Sequence, residues 1–328
     1  MKRALLSTVC LTLLTPLAAD EWSMPRTPAG HPDLQGYWTN VTQTPLERPE
    51  RFGDRRAMSE DEARELEARA RAAEERGNAP SDPGRGAPTD GNTAAAYNLF
   101  WLDRGLDVAY IDGEYRTSMI IEPADGRIPY VDDPPPSLLD QWRSEAPIGA
   151  GPEVATIGER CLLFWDFRTS NSSAGPPMMP MIYNSNYQIV QTDDYVMILA
   201  EMMNDARIIR LNGEHQPPER VKWMGDSVGY WDGDTLVVET RNLHPQQSHY
   251  GSSPQLQVTE RFTRVADDRI VYRYTMDDPA VFAEPWTAEL PMRALAEGER
   301  IYEYACHEGN YALPGILAGA RRQESDAR

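Results

Sequence analysis

The feature that most restricts the fold is a succession of short alternating runs between Tyr187 and Arg293, joined by tight turns with no helical pattern between them. Tyr187 to Gln191 and Tyr195 to Met203 read as a hairpin turned at Thr192-Asp193-Asp194. Asp205 to Leu211 continues it to the turn pair Asn212-Gly213. Tyr230 to Thr240 is a second hairpin, turned on Asp232-Gly233, and Leu256 to Thr263 with Arg269 to Met276 a third, turned on Asp267-Asp268. Pro285 to Arg293 and Arg300 to His307 follow, with Glu297-Gly298 between them. Hairpins in series require an antiparallel sheet, and this many strands predicts a mainly β protein, an antiparallel barrel or sandwich that is calycin-like in one reading.

Around this series the chain is less regular. Residues 1–19 read as a secretory signal, with Lys2 and Arg3 ahead of an apolar run and Ala18-Ala19 at its end. The run is broken by Ser7, Thr8, Thr12, Thr15 and Pro16 and is too short for a bilayer span. Residues 20–328 are read as one β-rich domain carrying a helical insertion over about 56–96. Within it, Ser59 to Arg76 is the clearest helix, with Ser59 and Glu62 spaced as a capping box and Gly77 as its stop. The Asn78 to Asn92 loop follows, Glu114 to Glu122 alternates as a strand, and Ile316 to Arg328 is a short C-terminal helix and tail. Gly36-Tyr37-Trp38 resembles the Gly-x-Trp of the first lipocalin strand, whose Trp plugs the base of the barrel.

The formal charge of −19 becomes about −21 once Lys2 and Arg3 are removed. Such a surface repels phosphate backbones and anionic lipid, so neither nucleic acid nor membrane insertion after cleavage is expected, and a cationic or neutral small ligand suits it better; the expected partner is a small apolar or aromatic molecule. With Cys10 lost in the signal, Cys161 and Cys306 remain as a pair in an oxidising compartment, periplasmic or secreted. A bridge between them closes a loop of about 145 residues, worth roughly 4–5 kcal/mol in the chain-entropy model.

On strands that hide one face, charged residues at apolar parity carry the information. Glu201, Asp205 and Arg207 share parity with Tyr195, Met197, Leu199 and Met203, and Glu260 shares it with Leu256, Val258 and Phe262. A carboxylate on such a face needs either a raised pKa that serves acid–base work or an ion-pair partner, here Arg207, Arg261 or Arg273. His307 lies in the densest cluster of chemical groups, Tyr302 to Asn310, beside Glu303 and Glu308, and is the candidate general acid or base. Asp226, flanked by Trp223 and Trp231, is read as reaching into a pocket, with Tyr187, Glu260 and Tyr304 as further substrate-binding residues. His244 and His249 are a possible metal pair, needing His307 or a carboxylate as a third ligand. Met178-Met179-Pro180-Met181 reads as an apolar loop lining a pocket, and as a Cu(I) site only with support that four residues do not give. No nucleophile elbow, phosphate loop, dinucleotide fingerprint or haem-attachment pair occurs, so no organic cofactor is expected.

Taken together, PDLQGYW, RTSMIIEPADGRIP, YQIVQT, EMMNDARII, WMGDSVGYWDGDTLVVET, ERFTRV, PWTAELPM and YEYACHEGNY resemble a large, functionally uncharacterised family of secreted bacterial proteins, from Pro32 to Arg321 outside the helical insertion. The resemblance implies no activity. Relatives more often carry a Thr/Asp/Lys loop and a Phe-Arg where this chain has Leu243-His244 and His249-Tyr250, which implies a different ligand preference if this loop borders the pocket. The residues support three expectations. One is an exported small-molecule enzyme (lyase, hydrolase or isomerase) using His307, Glu201, Asp205 and Arg207. Another is a non-catalytic carrier of a lipid-like ligand, and the third a metal-assisted hydrolase using His244, His249 and His307.

Overall fold

The computed structural model describes residues 22–80, 84, 86, 102–136, 141, 144–146, 149–163, 174–182 and 184–327. Residues 1–19, expected as a signal segment, most of the Asn78 to Asn92 loop and residues 164–173 lie outside them. Thirteen strands are described: β1 Gly36–Thr39, β2 Ala57–Met58, β3 Tyr110–Ile111, β4 Glu114–Arg116, β5 Ile120–Glu122, β6 Asn186–Gln191, β7 Tyr195–Ala200, β8 Ala206–Leu211, β9 Asp226–Asp232, β10 Thr235–Arg241, β11 Gln257–Ala266, β12 Arg269–Asp277 and β13 Trp286–Ala294. Two helices accompany them, α1 Glu60–Asn78 and α2 Ala312–Asp326.

Strands β1 and β6 to β13 pair in order, and β1 also pairs with β13, so nine strands close into a barrel; β5 adds to the free part of β13. All three expected hairpins form, with Gln191 opposite Val196, Asp232 opposite Thr235 and Ala266 opposite Arg269. The second turns on Gly233, whose φ of +60° lies in the left-handed region that glycine enters freely. Closure leaves the barrel wall without edges, which removes the hazard of exposed strand pairing.

The sheet is mixed rather than antiparallel throughout, because β8 and β9 run parallel, with Ile209 opposite Ser227. Asn212-Gly213 does turn the chain, but it opens a return loop rather than a hairpin. Residues 213–225 travel back along the barrel so that β9 starts beside the middle of β8. Asp226 pins that loop. Its carboxylate takes hydrogen bonds from Arg210 (2.9 and 3.0 Å), the Gln216 amide (2.9 Å) and Lys222 (3.2 Å).

Three other expectations change. Glu114 to Glu122 is two strands: the Thr117 hydroxyl donates to the Arg55 carbonyl (2.7 Å) while Ser118 bonds the Ile120 carbonyl (2.9 Å), and the chain leaves the small sheet β2–β4–β3 to join β13. Arg300 to His307 forms no strand but an extended segment and a turn, since β13 already pairs with β12, β1 and β5 and offers no further ladder. Helix α1 has the capping box, with Ser59 Oγ accepting from the Glu62 amide (3.2 Å) and the Glu62 carboxylate from the Ser59 amide (2.8 Å). It runs past Gly77 and ends before Pro80, which holds Ala79 in the extended region.

The barrel has two distinct ends. At the base, where β1 begins and β13 ends, the N-terminal segment crosses the opening. Trp22 bonds Asp267 (3.0 Å), Arg26 bonds Asp234 (2.8 Å) and His31 stacks on Trp231 at 5.0 Å. Trp38 is buried there, its indole donating to the Leu34 carbonyl (3.0 Å) beneath the Arg264 guanidinium, 5.5 Å from the ring centre. The other end, the mouth, is where β6, β8 and β13 begin. The turns after β7, β10 and β12 and the Ala174 to Ile182 segment gather over it.

Candidate functional site

The lumen is filled. Tyr187, Ile189, Val196, Ile198, Phe262 and Tyr272 are among the buried side chains of one apolar cluster that includes both barrel ends. Into it project two charges, Arg207 from β8 and Glu260 from β11. Arg207 forms a two-pronged ion pair with Glu260, one limb measuring 2.9 Å, and Tyr272 donates to the same carboxylate at 2.6 Å. β9 and β10 lie between these strands, so the pair crosses the lumen instead of running along the wall. Burial and the Glu260 charge push the Tyr272 phenol well above the ordinary tyrosine range, which keeps it a donor. Its oxygen also accepts from the Met178 amide (2.9 Å), anchoring the Ala174 to Ile182 segment at the mouth. Met178 and Met179 are buried rather than pocket-lining, Tyr274 donating to the Met179 sulfur at 2.9 Å.

The β7–β8 turn sits directly above this floor. Glu201 ends β7 and is buried, its carboxylate held by the side-chain amides of Asn186 (2.6 Å) and Asn184 (3.1 Å). Met203 and Asn204 follow with φ of +63° and +55°, a left-handed pair that asparagine enters readily and methionine rarely. Asp205 closes the turn, its carbonyl paired with the Ala200 amide (2.9 Å). It stands two residues before Arg207, on the same face of the strand. Its Oδ2 is buried and makes no hydrogen bond among the described residues, and burial pushes the carboxyl up to about 7.

The inward parity of β7 is opposite to the one expected. Val196, Ile198 and Ala200 point in, while Tyr195 is exposed and Met197 and Leu199 are half-buried. Both faces of that strand are apolar, so alternation alone could not choose between them. The turn then shifts the phase by its own residues, and Arg207 comes back to the interior. For β11 the expected parity holds: Val258, Glu260 and Phe262 are all buried. Of the three arginines considered for Glu260, Arg261 pairs with Asp232 (2.6 Å) and Arg273 with Glu289 (2.9 Å), both on the outside.

Glu201, Asp205, Arg207, Glu260 and Tyr187 therefore collect at the mouth or just beneath it, and His307 does not join them. It is exposed in a surface turn with Glu303 and Glu308 exposed beside it, and among the described residues no hydrogen bond or ion pair links it to the mouth residues. Tyr304 is half-buried in that same segment. Cys161 and Cys306 are bridged, with Cα atoms 5.7 Å apart. Trp223 and Trp231 flank opposite ends of β9 and so cannot wall one pocket. Trp223 stacks on His244 at 3.9 Å, and Trp231 on His31 at the base. Asp226 is a structural hub, as its four donors require. Burial raises its pKa, but the bonds from Arg210, Gln216 and Lys222 outweigh that and hold it well below the usual carboxylate range.

The possible metal set does not assemble. His244 accepts from the Gln246 amide through Nδ1 (3.2 Å), and burial with the nearby Arg160 charge lowers its pKa. His249 is buried, with Nε2 3.0 Å from the Gln247 amide nitrogen, while His307 is exposed. Among the described residues no group of three His, Cys, Asp or Glu side chains has a metal-holding arrangement.

Sequence reasoning missed Asn184, Asn186 and Asn40, whose Nδ2 bonds the Met178 carbonyl (3.1 Å), because they lie at strand ends or in connections. Tyr272 was findable, since it shares the buried parity of β12 with Ile270, Tyr274 and Met276. Compared with models of known protein families and with curated protein sequences, the chain matches none.

Proposed function

We propose that the protein is an exported enzyme that acts without an organic cofactor on a small aromatic or apolar molecule, as a lyase, hydrolase or isomerase, with the reacting group held at the barrel mouth. Asp205 is the proton donor and acceptor. The observation that carries this reading is its Oδ2, buried just ahead of β8 and free of any hydrogen bond among the described residues. A carboxyl near 7 is populated in both protonation states around neutrality, which general acid–base work requires. Glu201, fixed between two asparagine amides, supplies a second oriented carboxyl at the other end of the same turn. The Arg207–Glu260–Tyr272 group supplies a rigid floor, its charges already satisfied by one another.

The filled lumen weighs against a carrier that swallows a lipid-like chain, and favours a ligand seated at the mouth. Native mass spectrometry on protein from its own compartment, wild type beside Asp205→Asn, tests the reading. Wild type is expected to retain a small aromatic or apolar molecule and convert it. Asp205→Asn is expected to retain the molecule and lose conversion by two to four orders of magnitude. Equal conversion by both proteins would remove Asp205 from the chemistry.

A further inference from the structure

The loop from β10 to β11 is polar, yet it is buried. Gln246, Gln247, Ser248, His249 and Ser252 are all at most 5% exposed. Buried polar side chains normally find partners, and those left without one call for an explanation. Four such atoms occur on this loop and on the strand it touches. Gln247 Oε1, Ser248 Oγ and Ser252 Oγ in the loop, and Trp286 Nε1 at the start of β13, are buried and unbonded among the described residues. The loop and the indole are in contact, Tyr250 meeting the Trp286 ring edge-on at 5.5 Å. Trp286 is also the centre of an aromatic wall, with Tyr274 at 5.8 Å and Phe282 at 5.9 Å.

We propose that this loop and Trp286 form a recognition subsite for an uncharged polar group, a carboxamide or hydroxy-carbonyl, borne on an aromatic ligand. The donor and acceptor types define the group. Indole N–H only donates, a glutamine Oε1 only accepts, and two serine hydroxyls do either. Such a set pairs fully with a group that has both kinds of site. A charged group is disfavoured, because the described charges here are already engaged. Asp278 accepts from the Ser253 amide, the Ser253 hydroxyl and the Ala280 amide, and Arg160 donates to Gln246. A buried ion would then lack a counter-charge. The aromatic wall takes the ligand body edge-to-face, as Tyr250 and Phe282 already take Trp286.

This inference rests on the reading of the mouth as the ligand site, but it concerns recognition and not proton transfer. The test is a titration of the full-length, ¹⁵N-labelled protein with three aromatic probes: benzamide, its charged analogue benzoate, and toluene. The readout is the indole N–H signal of Trp286, assigned through Trp286→Phe. Benzamide is expected to shift that signal saturably and to bind at least tenfold more tightly than benzoate or toluene. Ser248→Ala and Gln247→Leu are each expected to weaken benzamide about three- to thirtyfold, with the remaining indole signals unchanged in position. If no probe moves the Trp286 signal saturably, the unbonded atoms hold water only and the subsite is overturned, even where Asp205 still titrates near 7. If benzoate equals benzamide, the assignment to a neutral group fails. If benzamide binds as expected while Asp205 titrates near 4, the catalytic reading fails and the subsite stands.

Discussion

Arg207 and Glu260 face each other across the barrel, Nη2 to Oε1 2.9 Å, although two further strands separate them along the sheet. A transverse ion pair of this kind ties opposite walls together in a way that no cross-strand neighbour can. It also makes each charge depend wholly on the other, since both side chains are buried. Removing one partner leaves an uncompensated interior charge, and Arg207→Met or Glu260→Leu is expected to cost about 3–5 kcal/mol. Removing both leaves an apolar interior and a Tyr272 hydroxyl short of its acceptor, a loss of about 1–3 kcal/mol. Chemical denaturation of the two single variants and the double variant checks this: the double variant should be less destabilised than either single one. Additive losses would mean that the pair does not interact as described.

Asp205 carries a pH signature. Its folded pKa lies near 7, above the ordinary aspartate value, so the folded state binds its proton more tightly than the unfolded chain does. The stability it contributes is complete below about pH 4 and is lost as pH rises through about 7. Asp205→Asn is expected to flatten this slope and to stabilise the protein above pH 7 by on the order of 1–2 kcal/mol, the half-buried carboxyl being partly screened by water. Unfolding free energies from pH 4 to 8, with carboxyl ¹³C titration, test the sign. A rise in wild-type stability traceable to Asp205 over that range would contradict it.

The Cys161–Cys306 bridge closes a 145-residue separation, yet one of its anchors lies at the periphery. Helix α2 has no buried residue, and Arg321 ties it to the carbonyls of Gly149 (3.1 Å) and Ala150 (3.2 Å). When the bridge is cut, this segment is free to detach before the barrel opens. Reduction, or Cys161→Ala with Cys306→Ala, should therefore speed amide exchange in α2 sharply. The barrel strands should lose about 1 kcal/mol or less, well under the roughly 4–5 kcal/mol of the whole-loop entropy model. Uniform acceleration through β10 to β13 would show the bridge acting on the global fold.

His307→Ala should change little. Its side chain is exposed in a surface turn, and such substitutions usually stay within about 0.5 kcal/mol. Thermal unfolding and ligand retention should match wild type. A selective loss of retention would return this histidine to the site.

The sequence by itself determined the hairpins, the pairing of the two cysteines left after Cys10 and the interior placement of Glu260. Asp232-Gly233 specifies its turn whatever surrounds it, and Val258, Glu260 and Phe262 alternate with residues polar enough to mark the outer face. Ser59 and Glu62 likewise cap α1 from three residues' separation. What only tertiary structure decided were choices between local equals. Either face of β7 was apolar enough to turn inward, and closure of the barrel picked Val196, Ile198 and Ala200. The segment before His307 had strand-like alternation, but a closed wall had no edge to receive it. Arg207 had two rivals for Glu260, and the meeting across the lumen was set by the parallel return from β8 to β9, a path longer than any residue spacing encodes. Local patterns state which groups must be hidden or turned. The distances that make a site arise only once nine strands have closed upon one another.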